Sequence, residues 1–376
     1  MRKKTIISFY YKHKPGGFTA RLYKAWQGLA NNGYQITYIS TEKLPVEDEN
    51  ITAKIITCRS KPGTAIFWGE YFIRAIFSAR KIIKKDQVCC FLVFSFFYSS
   101  LAILSGFGKG IKTLAFIRAD DVYMSGLKTS AKLRTKVHVL LERFGLRHAA
   151  LVVATNQKMM ASLKSRNNAK AEVSYLPNNI VNTDTNYTDK KYSEDDGVFR
   201  FITASVLNEG KNILYTLQAL NKIKSTNWEF LIVGDDIENT GYGKRIEQYI
   251  DDHNLQNNVK LLGWKDDSDK LISRCDLFII ATIMEGSPNA LLEALGTRTS
   301  CIGSDIPEIS EILQYPNLVF DLNNPLSLTD TLDKFCSDNQ FRTELANLSA
   351  KCRERYVFDW EERVINFVKK VTLNDQ

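Results

Sequence analysis

Leu277-Phe278-Ile279-Ile280-Ala281-Thr282-Ile283-Met284-Glu285-Gly286-Ser287-Pro288-Asn289-Ala290-Leu291-Leu292-Glu293-Ala294 is the stretch that decides the fold. Its first five residues are uncharged and apolar, as in a short strand buried on both faces of a parallel sheet. Ser287 suits a helix N-cap and Pro288 the first helical position, where a missing N–H costs nothing. Leu291, Leu292 and Leu295 supply an apolar face, and Gly296 suits the C-terminal cap. The spacing predicts strand, loop and helix, with the amides of Asn289, Ala290 and Leu291 left without intrahelical partners. A helix start of this kind takes a phosphate or a sugar hydroxyl. Two carboxylates flank it: Glu285 in the loop, and Glu293, whose side chain leans back over the turn of Asn289 and Ala290. One anion site between two hydroxyl acceptors fits a diphosphate carrying sugars on both sides. A plain strand–loop–helix with two solvated glutamates would explain the carboxylates alone, but not the whole string.

The rest of the chain repeats the alternation. In the first half, strands fit Thr5–Tyr11, Gln35–Ser40, Ile51–Cys58, Val88–Phe94, Lys112–Ile117, Ala149–Ala154 and Glu172–Leu176, with a helix over Ala20–Asn31. Residues 182–197 are polar and aperiodic, a linker in composition. Beyond it, strands fit Phe199–Ser205, Phe230–Val233, Val259–Leu262 and Leu277–Ala281, with helices over Asn212–Lys224, Lys244–Asn254 and Asp359–Val371. The expected fold is α/β: two Rossmann-like, doubly wound parallel-sheet domains, 1–185 and 186–357, with a cleft between them. Ligands of such sheets sit at the carboxyl ends of the strands, where each candidate below falls.

At 376 residues, 44% apolar and 24% charged, the composition is that of a globular protein with room for two cores. Seven cysteines without Cys-x-x-Cys spacing point to a reduced, cytosolic compartment. The N-terminal apolar run is too short for a signal peptide and reads as the first strand. Val88–Gly108 is uncharged and long enough to cross a bilayer, but its serines divide it into a strand and a helix over Tyr98–Gly106.

Charge is split unevenly. Residues 1–185 carry 29 Lys/Arg against 11 Asp/Glu, or +18; residues 186–376 carry 21 against 31, or −10. The excess lies partly in Arg74, Arg80, Lys81, Lys84 and Lys85, a basic amphipathic helix in outline, and partly in Lys128, Lys132, Arg134 and Lys136. An anionic membrane surface is the expected partner, each cation contributing about 1 kcal/mol near the headgroups. No helix-turn-helix, zinc or aromatic-stacking signature accompanies the charge, so nucleic acid is not expected.

The string Glu285-Gly286-Ser287-Pro288-Asn289-Ala290-Leu291-Leu292-Glu293-Ala294 resembles the donor-site motif of the retaining family-4 glycosyltransferases (glycosyl transferases group 1), which have the GT-B fold. The resemblance spans the chain but is specific only from about 200 to 312, where Ile306-Pro307-Glu308-Ile309 also matches. It implies that Glu293 holds ribose hydroxyls, that Glu285 meets the transferred sugar, and that Gly286 to Leu291 line the donor site. It makes Lys211 a clamp on the diphosphate, neutralising charge on the departing nucleotide. The family's partner arginine falls on Val206, leaving Arg118 or Arg298 to compensate. Arg118 and Asp120 stand where the family commonly has a histidine near the sugar. Gly16 and Gly17 match the glycine-rich loop beneath the diphosphate, and Trp264, after Gly263, the region that reads the base. Gly234, in Gly234-Asp235-Asp236, also falls at a strand end. The resemblance further implies that the terminal helix, 358–376, returns to the first domain.

No metal is expected: Asp267-Ser268-Asp269 has the Asp-x-Asp form, but it precedes a short helix that one of its carboxylates would cap. No cofactor is expected beyond the nucleotide-sugar itself. The expected activity is transfer of a sugar from a UDP- or GDP-sugar to a lipid-linked or glycan acceptor, with retention, for bacterial capsule, lipopolysaccharide or glycolipid. Its expected place is the inner face of the cytoplasmic membrane. A nucleotide-sugar 2-epimerase of the same fold would need acids and histidines that this sequence does not offer. A catalytically silent partner subunit would account for Val206.

Overall fold

The computed structural model of the chain describes residues 3–14, 17–118, 132–166, 170–181, 191–237 and 239–373. Two compact units share the chain: Met1–Pro177 together with Asp359–Gln376, and Asn178–Phe358. The crossing falls at 177/178, eight residues before the boundary expected from composition. The expected linker is also different in kind where it is described. Ser193–Asp196 is a short helix, and Lys191 sends its Nζ to the carbonyls of Ser273 (2.7 Å) and Cys275 (2.8 Å). Polarity there serves the second unit's own hydrogen bonding; it does not mark a free tether.

In the first unit, strands β1 (Thr5–Phe9), β2 (Gln35–Ser40), β3 (Ile51–Ile55), β4 (Val88–Phe94), β5 (Lys112–Ile117), β6 (Leu151–Ala154) and β7 (Glu172–Tyr175) form one parallel sheet. Its order is β3-β2-β1-β4-β5-β6-β7. The central strands are apolar runs because helices cover both faces of such a sheet: Phe91, Leu92, Val93, Leu114, Ala115, Phe116, Val152 and Val153 are all fully buried. Between the strands run α1 (Gly17–Asn31), α2 (Ala65–Lys85), α3 (Phe96–Gly106), α4 (Lys132–His148) and α5 (Gln157–Ser165). The uncharged stretch from Val88 thus divides into β4 and α3, capped by Ser95, whose hydroxyl accepts from the Tyr98 amide. No helix of the described residues is long and apolar enough to cross a membrane.

The second unit holds α6 (Ser193–Asp196), β8 (Phe199–Ala204), α7 (Ile213–Leu220), β9 (Trp228–Val233), α8 (Tyr242–Asp252), β10 (Val259–Gly263), α9 (Ser268–Arg274), β11 (Leu277–Ile280) and α10 (Asn289–Gly296). It continues with β12 (Ser300–Ser304), α11 (Pro307–Ser310), β13 (Val319–Phe320), α12 (Ser327–Ser337) and α13 (Asn339–Glu354). Its six strands are parallel in the order β10-β9-β8-β11-β12-β13. The chain then returns to the first unit as α14 (Trp360–Leu373), where Trp360, Val364, Val368 and Val371 are buried. Trp360 lies 6.3 Å from the Phe116 ring of β5, with the Arg21 guanidinium 5.5 Å from its own. Gly28 of α1 is small by necessity, since a Cβ there would come within 2.9 Å of Glu361.

Candidate functional site

Strands β8, β9 and β10 fill the second sheet outward in one direction, and β11, β12 and β13 in the other. The direction of winding therefore reverses between β8 and β11, the crevice where ligands of doubly wound sheets bind. Lys211 is in the loop after β8 and Glu285 in the loop after β11. Although 74 positions apart, they form an ion pair in that crevice, with the carboxylate 12% exposed and the ammonium 25%. The loops are also joined directly. The Ile283 amide donates to Gly210 O (2.9 Å), and Thr282 Oγ1 lies 2.8 Å from the same oxygen. Ser304, at the end of β12, donates its hydroxyl to Thr282 O (2.6 Å).

Two glycines allow this weave. Gly234 has φ +132°, and a Cβ on it would stand 1.8 Å from Ser205 O, so no other residue fits between the ends of β8 and β9. Its amide donates to Gly263 O (2.9 Å), tying in β10. Gly263 itself takes φ +66°, which turns the chain at Trp264. Trp264 is 54% exposed; its amide is anchored on Asp235 Oδ2 (2.9 Å) and its Nε1 on Asp266 Oδ1 (3.0 Å). Asp236 accepts from the Thr240 and Gly241 amides, which hold its carboxyl below the usual range and make it a turn-former.

The quoted stretch folds as strand, loop and helix, with two corrections at the helix ends. Pro288, not Ser287, is the N-cap of α10, which begins at Asn289. The Ser287 hydroxyl is instead occupied by Asn178, whose Nδ2 donates to it at 2.8 Å. The Asn289 amide is bonded to Ser287 O (2.9 Å), so only Ala290 and Leu291 present amides with no backbone partner among the described residues. At the other end Thr297 is the C-cap, and Arg298, not a glycine, takes the left-handed conformation at φ +63°. Arg298 and Thr299 donate back to Leu295 O and Ala294 O, the paired bonds of a Schellman ending. Gly296 serves packing instead, because a Cβ there would meet Ile180 at 2.8 Å.

Arg298 thus stands at the far end of the helix, eight residues and about 12 Å of backbone from the N-terminus of α10. Glu293 is exposed in the second turn of α10. Val206 stands in the β8 loop, half-buried. In the first unit, Arg118 follows β5 directly, and burial together with the nearby Arg21 charge pulls its pKa down to about 9. Gly17 opens α1, whereas Gly16 and Asp120 lie outside the described residues. Asp267 is the N-cap residue of α9 but makes no side-chain capping bond; Asp269 accepts from the Lys270 amide. Among the described residues no group of three His, Cys, Asp or Glu is placed to hold a metal.

The site also uses a residue that the sequence reading passed over. Asn178 is 1% exposed and donates to both Ser287 Oγ and Asn289 Oδ1. Its only signal was an Asn-Asn pair after Pro177, which is indistinguishable from a turn.

Residues 184–352 match the family model of the glycosyl transferases group 1. Over that stretch, most of the second unit, the chain carries a glycosyltransferase domain of group 1. The glycosyltransferase is 22% identical over 316 residues to an uncharacterised glycosyltransferase of Methanocaldococcus jannaschii, 75% of this chain and 74% of that one. It is 29% identical over 181 residues to the UDP-Gal:alpha-D-GlcNAc-diphosphoundecaprenol alpha-1,3-galactosyltransferase of Escherichia coli, 46% of this chain and 43% of that one. Other relatives are named for capsular polysaccharide and O-antigen biosynthesis. Anabaena HepE, solved with UDP and glucose, superposes with a TM-score of 0.75 at 16% identity, over 98% of this chain and 100% of that one. The two parallel-sheet domains are those of the GT-B fold.

Proposed function

We propose that this glycosyltransferase moves a sugar from a UDP- or GDP-sugar to a lipid-linked or glycan acceptor of an envelope polysaccharide or glycolipid, with retention. The observation that carries the donor reading is the Lys211–Glu285 pair in the crevice between β8 and β11, beside the free amides of α10. A diphosphate there satisfies the amides of Ala290 and Leu291 and competes with Glu285 for Lys211. As the bond from the anomeric carbon to the diphosphate breaks, negative charge grows on the departing nucleotide, and Lys211 stabilises it. Glu285, released from Lys211, accepts from hydroxyls of the sugar. Glu293 accepts from the ribose hydroxyls, and Trp264, two strands and therefore about 10 Å from β8, lies toward the base. Gly234 shapes this floor. Gly286, Ser287, Pro288 and Asn289 form its rim, and neither metal nor further cofactor takes part. The bound UDP of the Anabaena neighbour, and relatives named for undecaprenyl-linked and capsular products, support this reading.

A thermal-shift screen of UDP-, GDP-, CMP- and dTDP-sugars tests it. Stabilisation by a UDP- or GDP-sugar is expected; indifference to all of them overturns it. We further propose that the first unit docks on anionic membrane, on the inner face of the cytoplasmic membrane. Supporting this, α2 exposes Ile66, Ile73 and Phe77 on one stripe, and its last turn carries Lys84 and Lys85.

A further inference from the structure

We propose that Asn178 is a positioning residue of the donor site, setting nucleotide affinity through the loop that it holds. The inference rests on the donor reading above and concerns how that site keeps its shape. The start of α10 has no side-chain cap, and its N-cap is a proline. With eight residues the helix is too short to hold its own first turn. The loop is braced from outside instead. Asn178 Nδ2 donates at 2.8 Å to Ser287 Oγ and at 2.5 Å to Asn289 Oδ1, bridging the residues on either side of Pro288. With Oδ1 so engaged, the amino end of the Asn289 side chain is turned away from Asn178.

Asn178 can act as a brace because its own backbone is fixed. Pro177 precedes it; Asn179 Nδ2 then donates to Phe358 O (2.8 Å), and the Ile180 amide to Tyr356 O (2.9 Å). Ile180 presses on Gly296, so residues 178–180 run along α10 from its first turn to its last residue. Asn178 is buried, which makes its amide–hydroxyl and amide–amide bonds costly to lose and precise in direction. A bracing segment of this kind controls where the Ala290 and Leu291 amides point, and misdirected donors lose an anion.

The test is calorimetric titration of the full chain with UDP and with GDP. Asn178→Ala should raise the dissociation constant of whichever nucleotide binds about tenfold, and the rise should shrink in a Ser287→Ala background, because the two residues act through one contact. Asn178→Asp keeps the shape but cannot donate, and should weaken binding in the same direction, which covers the case of an alanine variant that fails to fold. A lowered Tm with unchanged nucleotide affinity in a folded variant would leave Asn178 a stability residue only and overturn the proposal. Failure of the wild type to bind either nucleotide would overturn the donor reading, and this inference with it.

Discussion

Lys211 and Glu285 neutralise one another across the crevice, and in the proposed function each turns to the donor when it enters. On that proposal a ligand that brings its own anion to Lys211 would free the carboxylate as the sugar arrives, and the ion pair leaves neither charge unpaired before then. Glu293 lies on exposed helix surface, and the proposal gives it a separate task. The two glutamates should therefore fail differently. Glu293→Ala should raise the dissociation constant of the free nucleotide about tenfold or more, the loss of a charge-assisted bond of roughly 1.5–3 kcal/mol. Glu285→Gln should leave that constant within about threefold and lower turnover, since its contact is with the sugar. Calorimetry on both variants checks this; equal losses of nucleotide affinity would mean that the carboxylates share one role.

At the scale of the element, α10 ends where backbone geometry disfavours its sequence. An arginine in the left-handed region costs about 1 kcal/mol relative to glycine, and Arg298 is that residue. Arg298→Gly should raise stability by about 0.5–1 kcal/mol in a denaturant titration. It should leave nucleotide binding unchanged, because the change lies a helix length from the donor amides. A weakened nucleotide would return Arg298 to the site. Helix α2 is tied to the chain before it in a different way. Glu70 accepts from the Arg59 amide (3.0 and 2.9 Å), the Ser60 amide and hydroxyl (3.1 and 2.9 Å) and Arg74 Nε (2.9 Å). These donors, the Arg59 amide foremost, pull its pKa to about 2. A carboxylate with a depressed folded pKa stabilises above its unfolded value, near 4.3, and loses that contribution as pH falls toward 2. Hydrogen exchange at Ser60 and in the first turns of α2 should quicken across that window beyond its intrinsic pH dependence. Glu70→Gln should remove the effect.

For the whole molecule the main asymmetry is electrostatic: the first half of the sequence carries +18 and the second −10. On α2 the charge accompanies apolar exposure, with Ile66 74% exposed, Ile73 58% and Phe77 63%. Positions 66, 73, 77 and 84 share one helical face, so in the proposed docking apolar and basic groups would meet the membrane together. Liposomes rich in anionic lipid should co-sediment the protein and neutral ones should not. Salt should release it, because screening sets in beyond about 10 Å at 0.1 M. Exchanging Arg80, Lys81, Lys84 and Lys85 for glutamine should weaken that association and leave nucleotide binding intact. Indifference to lipid charge at low salt would make the basic face a solvated surface.

The sequence by itself determined the alternation of strand and helix, because apolar runs and helical spacing are local. Val88–Phe94, Lys112–Ile117 and Gln35–Ser40 could be bounded to the residue. Ser300–Ser304 escaped, since Ser-Cys-Ile-Gly-Ser, with Ile302 alone among small residues, has no apolar run and is buried by its neighbours. The helices α4, α5, α12 and α13 also went unread. The string from Glu285 to Glu293 pointed to the group 1 glycosyltransferases, and it lies within the family match from 184 to 352. Only the tertiary structure decided what surrounds that loop. Lys211 meets Glu285 because β8 and β11, distant in sequence, are neighbours at the reversal of the sheet. Asn178 reaches Ser287 and Asn289 across 109 and 111 positions, taking the hydroxyl that would otherwise cap α10. Ile180 claims the space at Gly296, and Arg298 takes the conformation a glycine would favour. Capping and turn preferences are set by neighbours in sequence, and here contacts between distant segments overrode them.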